Sequence, residues 1–153
     1  MTRYITAETY NKLKADLNYL KTEQRKEIAQ RIRVAKEFGD LSENAEYSEA
    51  LEAQRQLEQQ IFELENILKE AVIKRPAKNK DKVDIGVQLE VKDLQTKKKH
   101  TFILVGFGEA KPLENKISTE SPLGKAFWGK KAGDKVEVNI NGQIRPYQIL
   151  KIF

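Results

Sequence analysis

The chain has 153 residues, 39% of them hydrophobic and 33% charged, with a formal net charge of +5. That length allows one ordinary domain or two small ones, and the high charged share fits a long exposed helical element better than a single compact globule. The absence of cysteine excludes disulfides and thiolate metal centres, the single histidine, His100, excludes a multi-histidine metal site, and no apolar run approaches the ~20 residues of a membrane span.

Met1-Thr2-Arg3-Tyr4 leads into a polar helix and lacks a signal-peptide core, so a reducing cytoplasm is the expected location. Thr6 is a helix N-cap, with Glu8 near the helix start where negative charge suits the dipole. Leu13, Leu17 and Leu20 recur at helical spacing, and Ile28, Ile32 and Ala35 continue the stripe towards Phe38. The heptad phase slips near Gln24, which predicts a stutter rather than one ideal coiled coil. Gly39 stands where a left-handed C-terminal cap belongs.

A second helical pattern follows. Tyr47, Ala50, Gln54, Leu57, Ile61, Leu64, Leu68 and Ala71 alternate spacings of three and four, the seam of a coiled coil. The connection between the two patterns is short, so they run antiparallel. Folding them back brings Leu20 to Leu64 and Leu17 to Ile67 and Leu68, with Gln24 and Gln54 as polar seam positions. At 1.5 Å per residue, helices of about 30 residues make a rod of about 45 Å. Basic and acidic residues number eight and five over 7–38, two and seven over 46–73, and fifteen and nine over 76–153. The helices therefore attract each other, and the first presents a basic side.

Lys74-Arg75-Pro76-Ala77-Lys78-Asn79-Lys80-Asp81-Lys82 reads as a charged linker opened by proline. Beyond it the period becomes that of strands. Val83, Ile85, Val87, Leu89 and Val91 alternate strictly, and residues 101–107 form a second strand. Val136, Val138 and Ile140 mark a third, Asn141-Gly142 a hairpin turn, and Tyr147, Ile149 and Ile152 the return. Pro146 argues for an edge or a bulge there. Ser121-Pro122-Leu123 opens a short helix with a serine cap and proline at its first position, carrying Phe127 and the core residue Trp128. Lys97-Lys98-Lys99-His100 reads as a solvated hairpin. The expected fold is α+β: an antiparallel coiled-coil hairpin over residues 1–75, a linker over 76–82, and a small antiparallel β-sheet domain with one short helix over 83–153.

The tip of the hairpin, Gly39-Asp40-Leu41-Ser42-Glu43-Asn44-Ala45-Glu46-Tyr47, supports two readings. Asp40 and Glu43 have the spacing of a capping box at the start of the second helix. The same carboxylates are oxygen donors for a hard divalent cation. Two such groups supply too few ligands to hold magnesium alone, so the tip would be half a site, completed by a partner.

This tip resembles the signature of the bacterial transcript cleavage factors GreA and GreB, and the overall character of the chain is closer to GreA. Ala15-Asp16-Leu17-Asn18-Tyr19-Leu20 is similar to that family's first helix, and Lys116-Ile117-Ser118-Thr119-Glu120-Ser121-Pro122-Leu123-Gly124 to its second recognisable segment. The resemblance implies a partner, RNA polymerase, bound through a carboxy-terminal domain of FKBP-like fold, with the coiled coil inserted in the secondary channel. It implies that Asp40 and Glu43 form the essential acidic pair and share Mg2+ with the polymerase active centre, Asn44 assisting. It implies cleavage of the nascent RNA 3′ end in backtracked complexes, by stimulating the polymerase rather than by an enzyme activity of its own. Glu120, Ser121 and Pro122 match the loop that touches polymerase. Arg25, Arg31, Arg33, Lys36 and Arg55 form a basic face able to flank the RNA, or to partner the acidic second helix. A monomer is expected, with no tightly bound cofactor and no membrane contact. The alternative outcome is a Gre-like regulator that occupies the same channel and inhibits polymerase without cleavage. A scaffold coiled coil and a nonspecific nucleic-acid binder are the further alternatives.

Overall fold

The computed structural model describes residues 2–76 and 78–153; Met1, and Ala77 of the expected linker, lie outside the described residues. The chain forms two compact units, and they do not part at one boundary: Tyr10–Ala71 make one, and the described residues up to Thr9 join Val72–Phe153 to make the other. The first residues were expected to open a helical domain running to residue 75. Instead β1 (Arg3–Ile5) pairs with β2 (Ala71–Ile73) in a two-stranded ribbon. Val72 and Ile73 are β-branched, which favours an extended ribbon over one more helical turn.

The helical unit contains α1 (Ala7–Tyr19), a π-helical segment Leu20–Gln24, α2 (Arg25–Lys36) and α3 (Ala45–Glu70). Thr6 caps α1, its hydroxyl accepting from the Thr9 N–H at 3.3 Å. The wide turn Leu20–Gln24 lies where the heptad slips; its extra residue re-phases the apolar stripe so that both halves face α3. Ile28, Leu57 and Ile61 form the packed centre, flanked by Leu17, Leu20, Ile32 and Ala53. Leu20 and Leu64 line one groove, as the antiparallel fold-back requires. Two seam assignments differ. Ala53, not Gln54, packs between the helices, and Phe38 is 69% exposed rather than closing the stripe. Ala50, Ala53, Leu57 and Ile61 keep spacings of three and four, so apolar Ala53 takes the seam and the Gln54 amide stays in water, while Phe38 lies beyond the last residue of α2.

The second unit holds a five-stranded sheet: β3 (Gln88–Asp93), β4 (Lys99–Val105), β5 (Lys116–Ser118), β6 (Lys135–Ile140) and β7 (Gln143–Ile152), in the order β5-β4-β3-β7-β6. Four strands pair antiparallel, but β5 runs parallel to β4, so the sheet is mixed and not wholly antiparallel. The burial of Val83, Ile85 and Val87 alternates as expected, yet these residues precede β3. The Val87 N–H bonds to the Asp84 carbonyl at 3.1 Å, a turn that keeps the alternation while breaking the strand. Pro146 sits in the central strand β7, not at an edge. It is tolerated because β3 pairs no further along β7 than Tyr147, so the missing N–H interrupts no bond on that side.

Phe127, from the short helix α4 (Pro122–Phe127), packs between Phe102 and Tyr147 at 6.2 and 5.8 Å in the core formed by Leu89, Val91, Leu104, Val138 and Ile149. Trp128 packs on that core as expected, with its indole N–H donating to Asp84 at 3.1 Å.

Asp93, 2% exposed, accepts bonds from the Gln95 and Thr96 N–H groups at 2.9 and 3.2 Å and lies 3.7 Å from Arg145. Burial pushes its carboxyl up, but the hydrogen bonds and Arg145 outweigh it and hold the group below the ordinary aspartate value. A depressed folded pKa stabilises the protein above the unfolded value of about 3.9, and that stability is lost as pH falls through the folded pKa. Asp93→Asn should therefore cost roughly 1–3 kcal/mol at pH 7. It should also flatten the loss of stability below pH about 4, which denaturant unfolding at pH 7 and pH 3 would measure.

Candidate functional site

The tip is built from the end of α2 and the start of α3. The N–H groups of Glu37 and Phe38 bond to the carbonyls of Val34 and Ala35 at 3.1 and 3.2 Å, closing the last turn of α2. Gly39 then takes φ +108°, a conformation that residues with a Cβ rarely adopt, and the chain reverses. The Asp40 Oδ1 accepts from the Ser42 N–H at 3.0 Å and from the Ser42 hydroxyl at 2.8 Å, a local turn of the Asx kind. The Ser42 hydroxyl bond, with the Ser42 N–H second, draws the Asp40 carboxyl below its ordinary value, so it is ionised throughout the neutral range.

The capping-box reading is overturned. Helix α3 begins at Ala45, and its N-cap is Asn44, whose Oδ1 accepts from the Tyr47 N–H at 3.1 Å. The Asn44 amide also donates to the Ala35 carbonyl at 2.6 Å, across the hairpin. The tip needs eight residues between the helices, so Asp40 and Glu43 both fall short of the capping position. Glu43 makes no hydrogen bond or ion pair among the described residues. Phe38, Asp40, Glu43, Asn44, Ala45 and Glu46 line one exposed groove.

No group of three or more His, Cys, Asp or Glu side chains able to hold a metal occurs among the described residues. The donor set at the tip fits part of a magnesium shell: two exposed carboxylates, with one oxygen engaged by Ser42, offer hard oxygen ligands but fewer than the six required.

The basic face divides. Arg25 makes a two-pronged ion pair with Glu58, both contacts at 2.9 Å, and holds that carboxyl below its ordinary value. Arg55 pairs with Glu52 on its own helix at 2.6 Å. Arg31, Arg33 and Lys36 form no ion pair among the described residues, and all three belong to the last turns of α2, next to the tip. Arg25 and Arg55 thus follow the reading in which acidic residues of the second helix take them up.

In the other unit, residues 118–122 form a tightly bonded loop. The Ser121 hydroxyl accepts from the Gly124 N–H at 3.0 Å and donates to the Ser118 carbonyl at 2.7 Å, capping α4, with Pro122 at the first helical position. The Glu120 N–H bonds to the Ser118 hydroxyl at 3.1 Å, and its carboxylate meets Arg3 at 3.3 Å. The Arg3 guanidinium lies 4.6 Å from the Phe107 ring centroid. Glu120 and Pro122 line an exposed groove with Lys125, Ala126 and Glu137, whereas the Ser121 hydroxyl is fully engaged within the fold.

Sequence reasoning named Asn44 only as assisting the acidic pair and missed its cap on α3, and it missed Arg3 altogether. Asn44 carried a visible signal: asparagine is among the best N-cap residues, and Glu46 lies in the first turn that follows. Arg3 carried none, because its partner lies 117 residues away.

Two family models cover nearly all of the chain: "Transcription elongation factor, N-terminal" matches residues 3–73, and "Transcription elongation factor, GreA/GreB, C-term" matches residues 78–153. Transcription elongation factor GreA of Clostridium acetobutylicum is 48% identical over 149 residues, covering 97% of this chain and 94% of the relative. GreA of Clostridioides difficile is 46% identical over 149 residues, covering 97% and 94%. Among solved structures, GreA factor homolog 1 of Thermus thermophilus is 24% identical with a TM-score of 0.45, covering 100% of this chain and 99% of that one.

Proposed function

Because this chain belongs to the GreA/GreB family of transcription elongation factors, we propose that it binds RNA polymerase and stimulates the polymerase's own cleavage of the RNA 3′ end in backtracked, arrested complexes. One observation carries the reading: the acidic pair at the tip takes no part in capping α3, because Asn44 does that work, and so the Glu43 carboxylate and the Asp40 Oδ2 are left without a partner among the described residues.

Asp40 and Glu43 supply oxygen ligands to a magnesium ion whose remaining ligands come from the polymerase active centre. When bound, that ion offers Lewis-acid stabilisation of a phosphodiester displacement and acidifies a coordinated water. The Asx turn leaves the Asp40 Oδ2 without a partner among the described residues and keeps the carboxyl ionised. Arg31, Arg33 and Lys36 hold phosphates of the extruded RNA, since they form no ion pair among the described residues. Glu120 and Pro122 meet the polymerase surface, while Ser121 shapes the loop that presents them. The protein acts as a cytoplasmic monomer. Its half-site is not a nuclease alone.

Adding the protein to a stalled, backtracked elongation complex with magnesium should shorten the transcript from its 3′ end. An unchanged transcript in complexes that demonstrably carry the protein would overturn the proposal.

The division of the basic face gives a sharper expectation. Arg33→Glu should reduce RNA crosslinking and cleavage of long 3′ segments by about tenfold, as loss and reversal of an exposed phosphate contact implies. Polymerase binding should change far less. Arg25→Ala should leave cleavage near wild type, because its charge is already matched by Glu58. Crosslinking and a gel-based cleavage assay would measure both.

A further inference from the structure

The Asn44 side chain uses both ends of its amide. Its Oδ1 satisfies an orphan N–H at the start of α3, and its Nδ2 satisfies the carbonyl of Ala35, in the last turn of α2. Ala35 is 2% exposed and Ala50 is 1% exposed, so the helices are close-packed where this bridge forms. Asp40 and Glu43 lie inside the eight-residue span that the bridge closes. Among the described residues, the other side-chain ties within that span are the two bonds from Ser42 to Asp40, which join the turn to itself.

From this geometry we propose that Asn44 is a positioning residue: it staples the two helix ends and thereby fixes the spacing of the Asp40 and Glu43 carboxylates, without contacting ion or RNA. The inference rests on the cleavage function proposed above and assigns Asn44 a different part in it from that of a ligand. The amide nitrogen is turned to the Ala35 carbonyl at 2.6 Å and the oxygen to the Tyr47 N–H at 3.1 Å, so a cation could use only the second lone pair of an oxygen already held by the cap.

Asn44→Asp separates the two roles by sign. Aspartate caps a helix about as well as asparagine, so the bond from Tyr47 persists. The donor to Ala35 becomes an acceptor facing an acceptor, and the staple opens. A carboxylate is also the better ligand for a hard cation than an amide oxygen. If Asn44 were a ligand, the variant would need the same magnesium or less. If it is a staple, the magnesium concentration for half-maximal cleavage rises, by about fivefold for the loss of one hydrogen bond. Asn44→Ser, which keeps a cap and adds no charge, should shift in the same direction.

The measurements are a magnesium titration of cleavage in backtracked complexes at saturating protein, and amide hydrogen exchange over residues 40–44 in the free protein. Both variants should raise the magnesium midpoint and speed exchange at the tip about fivefold, with the β unit unchanged. A wild-type or lower midpoint for Asn44→Asp overturns the proposal, as does unchanged tip exchange in both variants. Should the wild-type protein leave transcripts intact, the cleavage function falls, while exchange at the tip still decides whether Asn44 is the staple.

Discussion

Asp40→Asn should abolish stimulated RNA cleavage while leaving the melting temperature within about 2 °C of wild type, because surface substitutions away from special features usually change stability by less than ~0.5 kcal/mol. The structure makes the separation of these effects cleaner than a capping role for Asp40 would allow. Asp40 does not cap α3; it accepts two bonds from Ser42, and an asparagine side-chain oxygen can accept both. The fold therefore loses little. The chemistry loses a full negative charge from a carboxylate offered to a hard cation. Even partners that only orient metal ligands cost about 10–100-fold when changed. Replacing a ligand itself should cost about 100-fold or more on the same scale. Polymerase binding should persist, since the loop at 118–122 is untouched. A variant that binds, melts like wild type and still shortens transcripts at the wild-type rate would remove Asp40 from the reaction.

Gly124→Ala should have the opposite signature: polymerase binding lost together with stability. A Cβ at Gly124 would stand 1.8 Å from the Ser118 carbonyl oxygen and 2.8 Å from its carbon. Both atoms are backbone, so no side chain can swing aside. Either α4 shifts or the loop does. The Ser118 carbonyl also receives the Ser121 hydroxyl and N–H, so moving it breaks the α4 cap and the presentation of Glu120 and Pro122 in one step. Inserting one carbon into such a contact typically costs about 1–3 kcal/mol. The polymerase affinity should fall by about tenfold or more if the loop is the docking surface, since each 1.4 kcal/mol is a factor of ten. Thermal melting and a competition binding assay would test the pair of effects. Full affinity in a destabilised variant would move the docking surface elsewhere.

The helical hairpin was legible because its information is local and periodic. Leu13, Leu17, Leu20, Ile28, Ile32 and Ala35 state the helical face directly, and even the break near Gln24 appears as a slip of phase that the structure answers with a π turn. The tip was legible as a turn and, through its resemblance, as a site. Its hydrogen bonding was not. Asp40-Leu41-Ser42-Glu43 has the spacing of a capping box, and only the count of residues needed to reverse the chain shows that Asn44 takes the cap. Strand existence was readable from alternation, but strand order was not. Pro146 suggested an edge or a bulge; it lies in a central strand that outruns its neighbour, and the register between β3 and β7 shifts at Glu90/Val91, away from the proline. The parallel pairing of β4 with β5, and the pairing of Arg3 with Glu120, join residues distant in sequence or depend on how the chain returns, and no short window contains them.

The membership of β1 in the same unit as residues 72–153 has a consequence for recombining these proteins. The hairpin is an insert within the β unit, not a neighbour ahead of it. A fragment beginning at residue 76 would omit Ile5, which is fully buried, and Tyr4, whose carbonyl receives the Phe107 N–H at 2.8 Å. Chimeras that exchange hairpins between relatives therefore need two junctions, near residues 9 and 72, so that each donor β unit keeps its own first strand.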